Sequence, residues 1–253
     1  MRLIHPALAK GFRDNALAVA LAMLLVGCTA LVLMSLLPTT RVAPIALLTL
    51  SAALALGVGS AMTWRAVRHL RLKKEQIGDD LARLLAPAFD DSYTLILAPR
   101  LPGVPQELSG LLVGPAGVRV LLSRRWRGRY RVRGRTWEYD TRSRAKWIPT
   151  ITNPFFEAET VADAVGRWAR ETLEDATIAM TPVVAFPRRH TTVVLEEPDG
   201  EVVTTDNAPW FAQRIGRVQR LDPRRAARFV EAVLTASEAE ARGSVRAASP
   251  NLA

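Results

Sequence analysis

The sequence predicts an α/β (α+β) protein in which an N-terminal two-helix transmembrane hairpin precedes a mixed-sheet domain. Three observations carry this. Residues 15–40 and 42–64 are two long runs without a charged side chain. The stretch LSGLLVGPAGVRVLLSRRWRG, from Leu108 to Gly128, reads as two apolar strands joined at Gly-Pro-Ala-Gly. Around it, segments of helical period and short apolar runs follow in the order helix, several strands, helix, strand, which gives a mixed sheet with helices on it.

The 253 residues suffice for one ordinary domain and an appendage. Their net charge is +10, from 34 basic and 24 acidic side chains. Before Arg65 stand four basic residues and one acidic, so that part carries +3 and the remainder +7. The excess on the polar part favours anionic partners, nucleic acid or a lipid surface. The single Cys28 excludes an internal disulfide and lies in an apolar run.

Each uncharged run exceeds the roughly 20 residues a helix needs to span a bilayer. Spans are therefore expected at about 16–37 and 43–64, with 38–41 as a tight connection. A second run of equal length argues against a cleavable leader. Basic residues flank the pair on both sides, Arg2, Lys10 and Arg13 before it and Arg65, Arg68, Arg71, Lys73 and Lys74 after it, against Arg41 alone between them. That asymmetry implies the inner (cytoplasmic) membrane, with both termini and the domain in the cytoplasm. The spans hold no ionisable residue, so 1–64 is expected to anchor rather than transport. Residues 65–76 then form a basic juxtamembrane segment that contacts the lipid bilayer.

The domain is expected over 77–237. A helix reaching about residue 85 carries Ile77, Leu81, Leu84 and Leu85 at helical spacing. Asp90-Asp91-Ser92 is a turn, 93–98 (YTLILA) a buried strand, and 99–106, with three prolines, a loop. After the central hairpin, 129–133 and 136–139 form another, with Arg129, Arg131 and Arg133 on one face and Tyr130 and Val132 on the other. Asn153-Pro154 opens a helix to about 173, with Phe155, Val161, Val165 and Trp168 on one side. Residues 182–186 are a buried strand, and Val193–Leu195 and Val202-Val203 flank the turn Pro198-Asp199-Gly200. Helices at 210–215 and 223–236 close the domain, and 238–253 is expected to be a disordered tail.

Leu111-Leu112-Val113-Gly114-Pro115, Gly117-Val118 and Trp126-Arg127-Gly128 come in order and at matching spacing. With Asn153-Pro154 and the strand 182–187, they resemble the NERD (nuclease-related domain) family, of restriction-endonuclease-like fold, over about 75–205. Gly78-Asp79 is similar to that family's Gly-Glu. The resemblance implies a nuclease site: one acid on a strand and an acid-x-Lys on the next, holding one or two Mg²⁺ ions while the lysine orients water. The equivalent positions here are Asp79, Ser109, Leu122 and Arg124. Serine and leucine cannot replace carboxylates on a hard cation, and Arg124 keeps its charge without being able to release a proton. No intact catalytic residue, no metal and no cofactor are therefore expected. Mg²⁺ or Mn²⁺ enters only in an alternative, a divergent nuclease with acids relocated to Glu107, Asp79, Asp80 or Glu138.

What remains is the cluster Arg124, Arg125, Trp126, Arg127, Arg129, Arg131 and Arg133, able to track a phosphate backbone and stack bases of DNA or RNA. The competing readings are a protein partner, or a solvated arginine-rich edge on a membrane-surface scaffold. Other chemistries lack support. His5, His69 and His190 have no metal-ligand spacing. No helix follows Gly114–Gly117, which is then a hairpin turn and not a phosphate loop. Ser109 and Ser123 have no nearby histidine for a triad. The expected function is thus that of a membrane-anchored, catalytically inactive nuclease-related protein, binding nucleic acid or a protein partner at the cytoplasmic membrane face.

Overall fold

The structure, a computed structural model, describes residues 1–6, 65, 76–105, 107–141, 146–173, 178–218 and 221–247. The chain divides into two compact units, one of Met1–Leu8 with Glu75–Ala253 and one of Ala9–Lys74. The expected spans at 16–37 and 43–64 lie outside the described residues. Among the described residues no helix is long and apolar enough to cross a membrane. The transmembrane hairpin, and the inner-membrane location drawn from it, are corrected accordingly: the fold that is present is mixed α/β with two sheets. Arg2, expected to flank a first span, instead sits in an edge strand of the domain's own sheet.

The larger sheet has six strands in the order β1 (Arg2–Ile4), β2 (Thr94–Leu97), β3 (Gly110–Gly114), β4 (Gly117–Ser123), β8 (Met180–Phe186) and β10 (Glu201–Thr204). β2, β3 and β4 form an antiparallel meander. β1 lies parallel to β2, and β8 parallel to β4 and to β10. The β4-to-β8 crossover runs through helix α2 (Pro154–Leu173). Asn153 starts it: its Oδ1 accepts the Phe155 N–H at 3.0 Å, and proline follows in the first turn, where no backbone donor is needed.

Alternation along the strands sorts the core into two layers. Leu95, Leu97, Leu112 and Leu121 face a first layer, shared with Leu81 and Leu85 of helix α1 (76–85 as described) and with Phe211 and Ile215 of α3 (Ala208–Gly216). Ile96, Leu111, Val113, Val118 and Val120 face the other way, onto Val161, Val165 and Trp168 of α2 and Phe229 and Val233 of α4 (Pro223–Ala247). Helix α4 continues to Ala247, well into the stretch expected to be a disordered tail.

The second sheet is β7 (Lys146–Pro149), β6 (Thr136–Thr141), β5 (Gly128–Gly134) and β9 (Thr191–Pro198). Gly128, at φ +112°, turns the chain out of β4 and into β5, which accounts for a glycine after Trp126-Arg127. One face of this sheet closes on Leu122, Trp137, Phe155, Val184 and Phe186. Trp137 packs edge-on to Phe155 with ring centroids 5.3 Å apart. The turn Pro198-Asp199-Gly200 does not close a two-stranded hairpin. β9 before it pairs with β5, and β10 after it pairs with β8 in the other sheet.

Candidate nucleic-acid interface

Strand alternation sends Arg124 and Arg125 to opposite faces of the large sheet. Beyond the end of β4 the backbone stays extended, with the Arg124 N–H donating to the Ala185 carbonyl at 2.8 Å. Arg124 follows Val120 and Leu122 toward α2 and pairs with Glu157 of that helix. Burial pushes its guanidinium below the usual range, and the charge of Glu107 opposes that shift. Arg125 follows Leu121 toward α1, where its Nη2 lies 3.2 Å from Gln76 Oε1 and 3.8 Å from Asp80 Oδ2.

The α2 side is where the resemblance implies a metal site. Ser109 is buried, and its Oγ accepts the Ser123 N–H at 2.9 Å while donating to the Glu107 carbonyl at 3.1 Å. Leu122 is 1% exposed, among Val132, Trp137, Phe155 and Phe186. An apolar wall thus stands where a second carboxylate would be needed. Asp79 is exposed at α1, on the other side of the sheet. The acids considered as relocated ligands do not gather either: Asp80 is held by arginines at α1, Glu138 by Arg131 in the second sheet, and Glu107 is exposed ahead of β3. Among the described residues no group of three or more His, Cys, Asp or Glu side chains is arranged to hold a metal.

The α1 side holds a cleft of about 860 Å³. Arg83 of α1, Arg125 and Arg127 of the β4–β5 link, and Arg188, Arg189 and His190 of the β8–β9 link line it. Asp80 is the carboxylate among these lining residues and lies at their centre. Its Oδ1 is 2.7 Å from Arg83 Nη2, and its Oδ2 is 3.6 Å from Arg188 Nε and 3.8 Å from Arg125 Nη2. One negative charge therefore ties three cations from three chain segments. Arg127 and Arg189 are exposed and have no carboxylate partner among the described residues. Among the described residues five arginines stand against one carboxylate, which leaves the cleft positive, and its concave, partly apolar lining focuses that field.

The rest of the expected arginine cluster is differently engaged. On the outer face of the second sheet Arg131 donates from Nε and Nη2 to Glu138 Oε2, at 2.8 and 2.6 Å. Arg133 Nη2 lies 2.9 Å from Glu196 Oε2, and Arg129 Nη1 lies 3.8 Å from Asp140 Oδ2. The Arg129 and Arg131 guanidiniums also stack over Trp147, 5.6 and 4.7 Å from its ring centre. This face is a ladder of cross-strand ion pairs whose charges largely cancel. Trp126 turns inward: its ring centroid lies 4.8 Å from Tyr130 and 5.8 Å from Trp137 and Phe186.

Of the seven residues expected to contact nucleic acid, then, the structure brings Arg125 and Arg127 to one basic cleft. It gives Arg124 to the α2 side, Trp126 to the core, and Arg129, Arg131 and Arg133 to a neutralised face. Arg83, Arg188 and Arg189 were not expected. The run Pro187-Arg188-Arg189-His190 directly after the strand at 182–186 is a signal from which Arg188 and Arg189 could have been found; no such run marks Arg83. No family model, no curated protein and no solved structure matches the chain.

Proposed function

We propose that this protein binds nucleic acid through the arginine-lined cleft beside α1, and that it does not cut it. The observation that carries this is the convergence of Arg83, Arg125, Arg127, Arg188 and Arg189 on one cavity, where Asp80 pairs with Arg83, Arg125 and Arg188 and leaves Arg127 and Arg189 without a carboxylate partner among the described residues. Phosphate neutralisation by such side chains with release of condensed counterions is the main source of sequence-independent affinity for nucleic acid. The order α1, the meander β2–β4, the strands β5–β7, α2 and β8 is compatible with the NERD resemblance, whose implied site lies on the α2 side, across the sheet from this cleft. The absence of cutting rests on chemistry. Ser109, Leu122 and Arg124 supply no pair of carboxylates for Mg²⁺ or Mn²⁺ at the equivalent positions.

The test uses the full chain. A labelled oligonucleotide is titrated at rising salt, and supercoiled plasmid is incubated with Mn²⁺ and then with chelator. Affinity that falls linearly with the logarithm of salt, with plasmid shifted and not nicked, is the expected result. No affinity at about 50 mM salt, where phosphate contacts are strongest, would overturn binding and leave the scaffold reading. Metal-dependent nicking abolished by chelator would overturn the loss of catalysis and return the divergent nuclease.

A further inference from the structure

The lining of the cleft mixes two chemistries. Beside the arginines it includes apolar residues: Leu84, Pro87 and Ala88, at the end of α1 and in the turn after it, and Ala208 and Pro209 at the start of α3. Pro87 and Pro209 are exposed there. A ligand that fills the cleft must therefore present anionic oxygens together with apolar surface, within about 860 Å³.

A duplex does not meet that description. Its bases are stacked inside, and its periphery is phosphate and sugar. A single strand does: unstacked bases expose apolar ring faces beside the phosphates that link them. The volume is also in the range of pockets that hold one small ligand, roughly 300–1,000 Å³, which is the scale of a few nucleotides.

The arginines also divide. Arg83, Arg125 and Arg188 are committed to Asp80, which fixes their positions. Arg127 and Arg189 are exposed on the same cleft, without a carboxylate partner among the described residues. We infer that the cleft selects single-stranded nucleic acid, with its phosphates on Arg127 and Arg189 and its sugars and bases against Leu84, Pro87, Ala88 and Pro209. Among the described residues no Phe, Tyr or Trp lines the cleft. Bases are then held by aliphatic contact and not by aromatic stacking, which lowers the affinity gained per base.

This inference rests on the nucleic-acid reading above, and its test separates the two. Fluorescence anisotropy with the full chain compares a labelled 12-nucleotide thymidine strand with the same strand in a duplex, at matched salt. The single strand is expected to bind about 10-fold tighter than the duplex. Arg127→Ala with Arg189→Ala is expected to reduce single-strand affinity about 10-fold and to flatten its salt slope by about 1.4, that is about 0.7 for each phosphate no longer neutralised. Circular dichroism confirms that the variant is folded, and the single change Arg189→Ala gives about half the slope effect if the double variant is not. Equal or tighter duplex binding overturns the single-strand inference while leaving the nucleic-acid reading in place. An unchanged slope in a folded variant overturns the assignment to Arg127 and Arg189. Absence of binding to either probe overturns both.

Discussion

The Ser109 hydroxyl accepts the Ser123 backbone N–H at 2.9 Å, so the side chain at the first expected acid position clamps the end of β4 against the start of β3. It also donates to the Glu107 carbonyl, which uses up its one proton. Together with Leu122 in the apolar layer, this makes the α2 side of the meander a packing surface. The lack of carboxylates at Ser109 and Leu122 is thus a matter of core packing, which one substitution would not reverse.

Leu122→Glu tests this directly. At 1% exposure among Val132, Trp137 and Phe186, a carboxylate would sit in an apolar layer, and Arg124 on the same face is already paired with Glu157. Glutamate has nearly the volume of leucine, so the cost lies in burying a polar carboxyl without a partner, roughly 2–7 kcal/mol even when it is protonated. Urea unfolding is expected to show a collapsed transition, and plasmid nicking to stay absent even with Ser109→Asp added. A cooperative, metal-dependent nuclease from that pair would show that two substitutions suffice to build a metal site there.

The outer face of the second sheet gives a contrasting expectation. Arg129→Ala with Arg133→Ala removes two exposed members of an ion-paired ladder. Such surface pairs contribute about 0–1 kcal/mol each, so the urea midpoint is expected to move little. Single-strand affinity is expected to change less than about twofold, because these charges are already matched by Asp140 and Glu196 and contribute little net field. A loss as large as that from the cleft variant would move the interface to this face.

Gly114 lies against the ring of Tyr93, where an added Cβ would overlap Cδ1 and Cε1. Both residues are in the meander core, so the ring has no free space to retreat into. Gly114→Ala is expected to cost about 1–3 kcal/mol through overpacking, read as a lower urea midpoint. Tyr93→Leu in the same chain is expected to restore part of it, since the clash is with the aromatic edge.

Tyr93 also sets an alkaline limit. Burial raises its hydroxyl above the ordinary tyrosine value, and Tyr130 is raised for the same reason. In the unfolded chain both lose their protons near pH 10, while the folded chain still holds them. Unfolding then releases protons, and stability falls as pH rises from about 10 through the folded-state values. Below that range the two hydroxyls are neutral in both states and have no effect. Tyr93→Phe is expected to make the decline shallower, leaving the part due to Tyr130. Urea midpoints taken between about pH 8 and 11 would show it.

Local chemistry made much of the fold legible. Gly114 and Gly117 bracket a turn between two apolar runs, and β3 and β4 lie there, at Gly110–Gly114 and Gly117–Ser123. Asn153-Pro154 is a start signal with a stated hydrogen bond, and α2 begins at Pro154. Features set by distant partners were not legible. Three residues of β1 carry no usable period, and their partner strand is some ninety residues further on. β9 and β10 read as neighbours across a turn, and their pairing with β5 and β8 in different sheets leaves no local mark in the sequence. The arginine run from 124 to 133 was visible as charge. Its division into a cleft, a core contact and a neutral ladder depends on Asp80, Glu157, Glu138 and Glu196, which come from four other elements.

β1 has a practical bearing on how this protein can be handled. Its three residues pair with the Thr94, Leu95 and Ile96 backbone and close one edge of the large sheet. A fragment cut to begin near residue 68 removes that cover and bares the edge of an apolar strand, Thr-Leu-Ile-Leu. Unpaired edges of this kind recruit other chains. Self-association in such a fragment would then report a missing strand and say nothing of the oligomeric state of the whole molecule.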